Sequence, residues 1–134
     1  MNDRILKPDE VFALTIQYID DHHYYPCAFG YDPYNADLFV SRWERTFGHS
    51  AVEKVIQGCR TETVPLGQLK SLAHDRCLCF HKGIIQFTMG HACVWEDMNG
   101  NRKLYKKNRE EKIDCVSAAV DALVAYTRHR DKFE

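Results

Sequence analysis

The sequence has no excess of charge of either sign: 18 Lys and Arg stand against 19 Asp and Glu, a formal net charge of -1. No global field therefore favours nucleic acid or a membrane surface, and any electrostatic argument must be local. There is no apolar run near the roughly 20 residues that a membrane span needs. The opening MNDRILKPDE lacks the apolar stretch of a secretory signal. Neither GxxxxGKS nor GxxxxGKT occurs, so the chain carries no P-loop. No repeat, low-complexity segment or linker breaks the 134 residues, which read as one domain over 1–134.

What is present is ordinary for a soluble globular chain: 45% hydrophobic and 28% charged residues. Of the six cysteines, Cys27, Cys93 and Cys115 sit in apolar, element-like runs and read as reduced cytosolic thiols. The spacing predicts a helix over 8–22, with Pro8 at its first position and Asp9 and Glu10 at its positive end. Residues 26–31 read as a buried strand. A second helix is expected from Pro33 or Asn35 to Phe47, stopped by Gly48. Residues 52–57 suggest a short strand, and Pro65 to about His74 a third helix. CLCFH and IIQFTM are expected as two strands around Lys82-Gly83. Asn99-Gly100 is a strong hairpin signal, and a last helix runs from about Glu110 to Arg128. The order predicts an α/β fold with at least one parallel strand pair. The chain opens on a helix, so strands are expected upstream of it.

Three carboxylates draw notice. Asp32 ends an apolar strand in Asp32-Pro33, where Asp as N-cap and Pro at N1 is a sufficient local explanation. Asp114 opens the last helix, where an acid suits the helix dipole. Asp121 is the only charged residue from Cys115 to Tyr126, and a satisfied, partly buried acid explains it. Asp114 and Asp121 lie seven residues apart, on one face within roughly 20° and ~10 Å apart along the axis. That is too far to chelate one small ion from a straight helix. Brought together from a sheet end and a packing helix, however, such carboxylates make an oxygen-rich site for Mg²⁺ or Mn²⁺. A pair of these ions roughly 4 Å apart supports phosphodiester cleavage.

Five elements carry a resemblance. YDPYNA (31–36) resembles YDPWNA, VIQG (55–58) resembles VRQG, and HKGIIQF (81–87) resembles an HGG…W stretch. EDMNGNRKLYKKNREEKID (96–114) resembles D-x-NGN…K…KID, and KIDCVSAAVDAL (112–123) resembles KIDGVVAL…AL. In that order and spacing, the chain resembles the C-terminal nuclease domain of the large terminase subunit of tailed bacteriophages, over nearly its whole length.

The resemblance implies a ribonuclease-H-like fold, truncated at the N-terminus, with a mixed sheet, flanking helices and a β-hairpin. It implies a divalent-metal-dependent endonuclease that cleaves concatemeric viral DNA during packaging in the bacterial cytoplasm. Mg²⁺ or Mn²⁺ would be the cofactor, double-stranded DNA the substrate, and the terminase small subunit and the portal the partners, with no membrane. Asp32 and Asp114 match two metal-binding, catalytic acids of the family, and Asp121 is an accessory metal candidate. The family's first-strand acid has no equivalent: Asp3, Asp9, Asp20 and Asp21 lie on or before the first helix. The preceding ATPase is also missing, so the competing expectation is a non-catalytic fragment or prophage remnant that needs upstream segments or a partner chain. Cys115 stands where the family has Gly, and His91 where it has Asn.

Arg102, Lys103, Lys106, Lys107, Arg109 and Lys112 form a basic cluster leading to Asp114. A solvated face is the plain reading, diluted by Glu110 and Glu111. DNA binding through phosphate contacts is the functional one. Arg128, Arg130 and Lys132 either add to it or form a frayed tail. Trp43 and Trp95 are expected to pack rather than to stack on bases. Cys77, Cys79 and His81, with His91 or Cys93, form a weaker zinc candidate, because the spacing is not that of a CxxC pair. No histidine is marked as the partner of a cysteine nucleophile.

Overall fold

The computed structural model describes residues 5–80 and 83–134. Helix α1 spans Pro8–Asp21, strand β1 Phe29–Tyr31, α2 Asp37–Phe47, β2 Val52–Lys54 and α3 Cys59–His74. Then follow α4 (Ile84–His91), β3 (Ala92–Glu96), β4 (Arg102–Lys106), α5 (Asp114–Arg128) and a 3₁₀ turn, Arg130–Lys132. The class is mixed α/β with two small sheets: β1 and β2 pair in parallel, and β3 and β4 pair antiparallel. The expected parallel pair and the expected hairpin are both present.

Two packing centres flank α5. Leu66 and Leu69 of α3 meet Val116 and Val120 of α5, with Ala92 and Leu104 of the hairpin closing over them. On the other side Phe29 of β1 stacks on Trp43 of α2 at 4.4 Å between centroids, and Phe39 touches both Phe29 and Phe12 of α1. Trp43 is buried, as expected.

Several expected boundaries move, each for a local reason. Helix α2 begins at Asp37 rather than at Pro33 or Asn35, because Asn35 adopts a left-handed φ of 54° that no helix interior accommodates. Helix α3 begins six residues before Pro65, which sits inside it. Gly58 supplies the φ of 133° that starts the turn, and Glu62 Oε2 reaches back to accept the Gly58 N–H at 3.2 Å. IIQFTM is not a strand but most of α4. The Phe87 N–H bonds the Gly83 carbonyl at 2.9 Å, and Gly83 takes a φ of 101° before it. Residues 77–80 form no ladder. His81 and Lys82 of that expected strand pair, and Asp3, lie outside the described residues. The last helix begins at Asp114, not Glu110. The hairpin closes through Asp97–Asn101 rather than a two-residue turn, with Asp97 Oδ1 accepting the N–H groups of Asn99 and Asn101.

Candidate acidic site

Asp32 follows the last residue of β1. It does not cap α2. Its Oδ1 instead accepts the Tyr34 N–H at 2.9 Å and so holds the turn through Pro33 and Tyr34. Its Oδ2 accepts a 2.7 Å hydrogen bond from Gln57 Nε2, which stands just beyond β2. The same nitrogen lies 3.5 Å from Ser117 Oγ, in the first turn of α5. Gln57 thus ties the strand-end carboxylate to the helix. The parallel pairing of β1 and β2 makes this possible, since it brings both strand ends to one edge.

Helix α5 lies against β1 at very close range. A Cβ on Gly30 would fall 2.3 Å from the Asp121 backbone oxygen. The small Ala125 continues the contact, its Cβ 3.1 Å from the same point. This approach brings Asp121 inward, where it is 7% exposed. Burial, then the negative charges of Asp32 and Glu62, raise its pKa from 3.8 to about 7. Glu62 is buried too, and its carboxyl is shifted upward by burial. Its Oε2 also accepts the Gly58 and Leu104 N–H groups, which oppose that shift.

The structure therefore brings Asp32 and Asp121 into one electrostatic neighbourhood. It adds Glu62, Gln57 and Ser117, which the sequence reading did not single out. Asp114 is exposed in the first turn of α5, ~10 Å along the axis from Asp121. It lies one turn from Ser117, on the side of the helix that Gln57 reaches. Among the described residues no group of three His, Cys, Asp or Glu is placed to hold a metal ion. The zinc candidate fares no better, with Cys77 and Cys79 exposed on a loop. The carboxylates around Asp32 are oxygen donors of the kind a hard cation takes, and burial, then the charges of Asp32 and Glu62, drive Asp121 towards protonation.

The basic residues divide. Arg102 is half-buried and its Nε donates to Glu96 Oε2 at 3.2 Å. Lys103 lies over the Trp95 ring, 5.4 Å from its centroid. Lys106, Lys107, Arg109 and Lys112 are exposed at the end of β4 and in the segment that leads to Asp114. Arg128 pairs with Glu53 of β2 and Arg130 with the Tyr126 ring, so neither belongs to this cluster. Trp95, expected to pack, is only partly covered: it is 45% exposed, with Lys103 over its ring.

Glu62 left one signal in the sequence, an acid four residues after a glycine. That spacing returns a carboxylate to the first turn of a helix. Placing the helix start at Pro65 hid it.

A family model described as "Terminase large subunit, endonuclease domain" matches residues 7–130. No curated protein and no solved structure matches the chain.

Proposed function

The chain belongs to the terminase large subunit endonuclease domain family, and from that premise we propose that it takes part in divalent-metal-dependent cleavage of double-stranded viral DNA during packaging. The observation that carries this reading is the carboxylate neighbourhood at the end of β1, where Gln57 holds Asp32 and the Asp32 charge acts on the buried Asp121. Asp32 and Asp114, with Asp121 as accessory, are the groups that would hold Mg²⁺ or Mn²⁺. Bound there, the ion would supply Lewis acidity for attack of water on a phosphodiester. The chain's own part is positional. Gln57 fixes the Asp32 carboxylate against α5. Lys106, Lys107, Arg109 and Lys112 hold the DNA backbone beside Asp114, giving affinity without base readout. In this proposal the site works in the bacterial cytoplasm with a small subunit and a portal as partners.

A second reading has its own support. With no three-donor group among the described residues, the acids here are completed by a further segment or partner chain, and the chain cuts nothing alone. Strand β1 pairs only with β2 among the described residues. Beside it an apolar groove of about 500 Å³ runs between Phe29, Leu78, Phe80, Leu123 and Tyr126.

Plasmid nicking with Mn²⁺ separates the two. Under the first reading the wild-type chain cuts, and Asp32→Asn and Asp114→Asn each lower the rate by about 100-fold or more, the scale of losing a charge stabiliser at the reacting centre. If all three proteins are equally silent, the chain is not a nuclease alone and the second reading stands.

A further inference from the structure

The outer face of the hairpin carries exposed aromatic and basic side chains together. In the β3–β4 register Trp95 stands opposite Lys103, and Cys93 opposite Tyr105. Side chains alternate across a strand, so these four share one face. Ala92 and Leu104, of the opposite parity, face the α3–α5 core. The outward aromatics are not covered: Trp95 is 45% and Tyr105 40% exposed. Lys103 lies over the Trp95 ring, and its charge also acts on the Glu62 carboxylate.

The nearby acids are turned to other work. Glu96 lies on the inner face with Arg102. Asp97 has the parity of Trp95, but its two oxygens accept bonds from Asn99 and Asn101 inside the turn. Glu111 accepts from the Asn108 side chain. The exposed Lys107, Arg109 and Lys112 follow in the segment after β4, with the exposed Glu110 among them, while Lys106, opposite Ala92, has the inner parity. The patch thus combines two half-exposed rings, one cation over the first of them and a basic segment nearby.

We propose that this face binds unpaired DNA, with Trp95 and Tyr105 each stacking on a base and Lys103 and the basic segment holding the phosphates. The proposal deepens the DNA reading above and rests on it. The spacing selects the unpaired form. Trp95 and Tyr105 are diagonal neighbours on the pair, ~7–8 Å apart. This is about twice the 3.4 Å repeat of a stacked strand, so two consecutive bases reach both rings only when unstacked. Aromatic platforms beside a basic groove bind single strands with little sequence preference, because every base offers a π-face. Lys103 leaves the ring for a phosphate when a base takes its place. A role confined to stiffening the hairpin would need the same two rings packed together but not left open.

The test measures binding of the whole chain to an oligothymidylate and to a duplex of equal length, with metal chelated. Trp95→Ala and Tyr105→Ala are each expected to weaken single-strand binding about 10-fold and to change duplex binding less than about twofold. Trp95→Phe and Tyr105→Phe keep most of the affinity, because the ring and not its polar atom stacks. Adding the oligothymidylate quenches emission in the wild type and in Tyr105→Phe but not in Trp95→Phe, where buried Trp43 is the remaining indole. Equal losses on single strand and duplex, no loss at all, or unchanged Trp95 emission on binding would each overturn the proposal. So would failure of every DNA form to bind. Intact single-strand binding without nicking leaves this inference standing and removes only the nuclease reading. If Trp95→Ala disturbs the fold, as circular dichroism would show, the Tyr105 variants and the emission signal decide alone.

Discussion

Asp121 shows how a single side chain records its surroundings. It is buried on α5 and faces two other carboxylates, which moves its pKa from 3.8 to about 7. The sign of the consequence is fixed. The folded chain holds this proton to higher pH than the unfolded chain, so between about pH 4 and 7 the folded state binds more protons. The group's contribution to stability is fully present below pH ~4, falls as pH rises through about 7, and stays lost above it. A shift of this direction and size corresponds to a few kcal/mol, on the order of 1.4 kcal/mol per unit. Asp121→Asn removes the titration while keeping the shape. Measured by urea unfolding in chelator, the variant should be more stable than wild type at pH 8, by about 2 kcal/mol or more. The gap should close towards pH 5. Acids remote from Asp121 titrate equally in both proteins, so the difference curve reports Asp121 together with the Asp32 and Glu62 charges that act on it. Parallel curves across that range would show that Asp121 carries its charge without cost and that the three carboxylates are not coupled.

Between elements, the contact that places the site is that of α5 on β1, and its tolerance is set by Gly30. The limit is space, not backbone conformation, since Gly30 has no positive φ. An added methyl would meet backbone atoms of Asp121, its oxygen at 2.3 Å and its carbonyl carbon at 2.9 Å. Neither can rotate away, so Gly30→Ala must push helix and strand apart. The expected loss is about 3 kcal/mol, at the upper end for overpacking. Gly90→Ala is the control, in a helix with nothing within 4 Å of the new methyl. It should be neutral or stabilising by up to about 1 kcal/mol. Urea midpoints read both, and equal effects would mean that α5 does not bear on β1 as described. This contact was only half legible in the sequence. A last helix with no charge but Asp121 from Cys115 to Tyr126 announced a packed element, and Asp32 at a strand end announced the edge. Only the spacing of Glu62 four residues after Gly58 hinted that α3 would start six residues before Pro65 and carry Glu62 into the same neighbourhood. IIQFTM was misread for a related reason: a short apolar run has no decisive period, and its helical state is set by Gly83 before it and α5 beneath it. The hairpin was readable because Asp97, Asn99, Gly100 and Asn101 define it locally. The exposure of Trp95 was not, because alternation places it opposite Lys103 without saying which face is covered.

Taken whole, the molecule divides its apolar material unevenly about α5. Val116, Val120, Val124 and Ala125 of that helix are buried, together with Asp121, and α3 adds Leu66 and Leu69. Helix α1 buries no residue completely. Half-buried Val11, Phe12, Ile16 and Ile19 form its packed side, with an edge contact of Phe12 on Phe39 at 5.3 Å and an exposed pair of Asp9 with Arg42 at 2.8 Å. Exposed ion pairs contribute about 0–1 kcal/mol, and a single aromatic pair adds about 1 kcal/mol beyond its buried area. The α1 helix therefore opens without the rest, while α5, packed on α3 and β1, opens only when the core does. In native-state hydrogen exchange the amides in the middle of α1 should exchange at least about 100-fold faster than those of α5 near Val120, a gap of ~2.8 kcal/mol at tenfold per ~1.4 kcal/mol. Phe39→Ala should speed exchange in α1 further while leaving the Val120 region nearly unchanged, because Phe39 reaches α1 and β1 but does not enter the α3–α5 core. Equal protection of the two helices would mean that α1 and the acidic site open as one cooperative unit, and the α5–β1 contact would then depend on α1 as well as on Gly30.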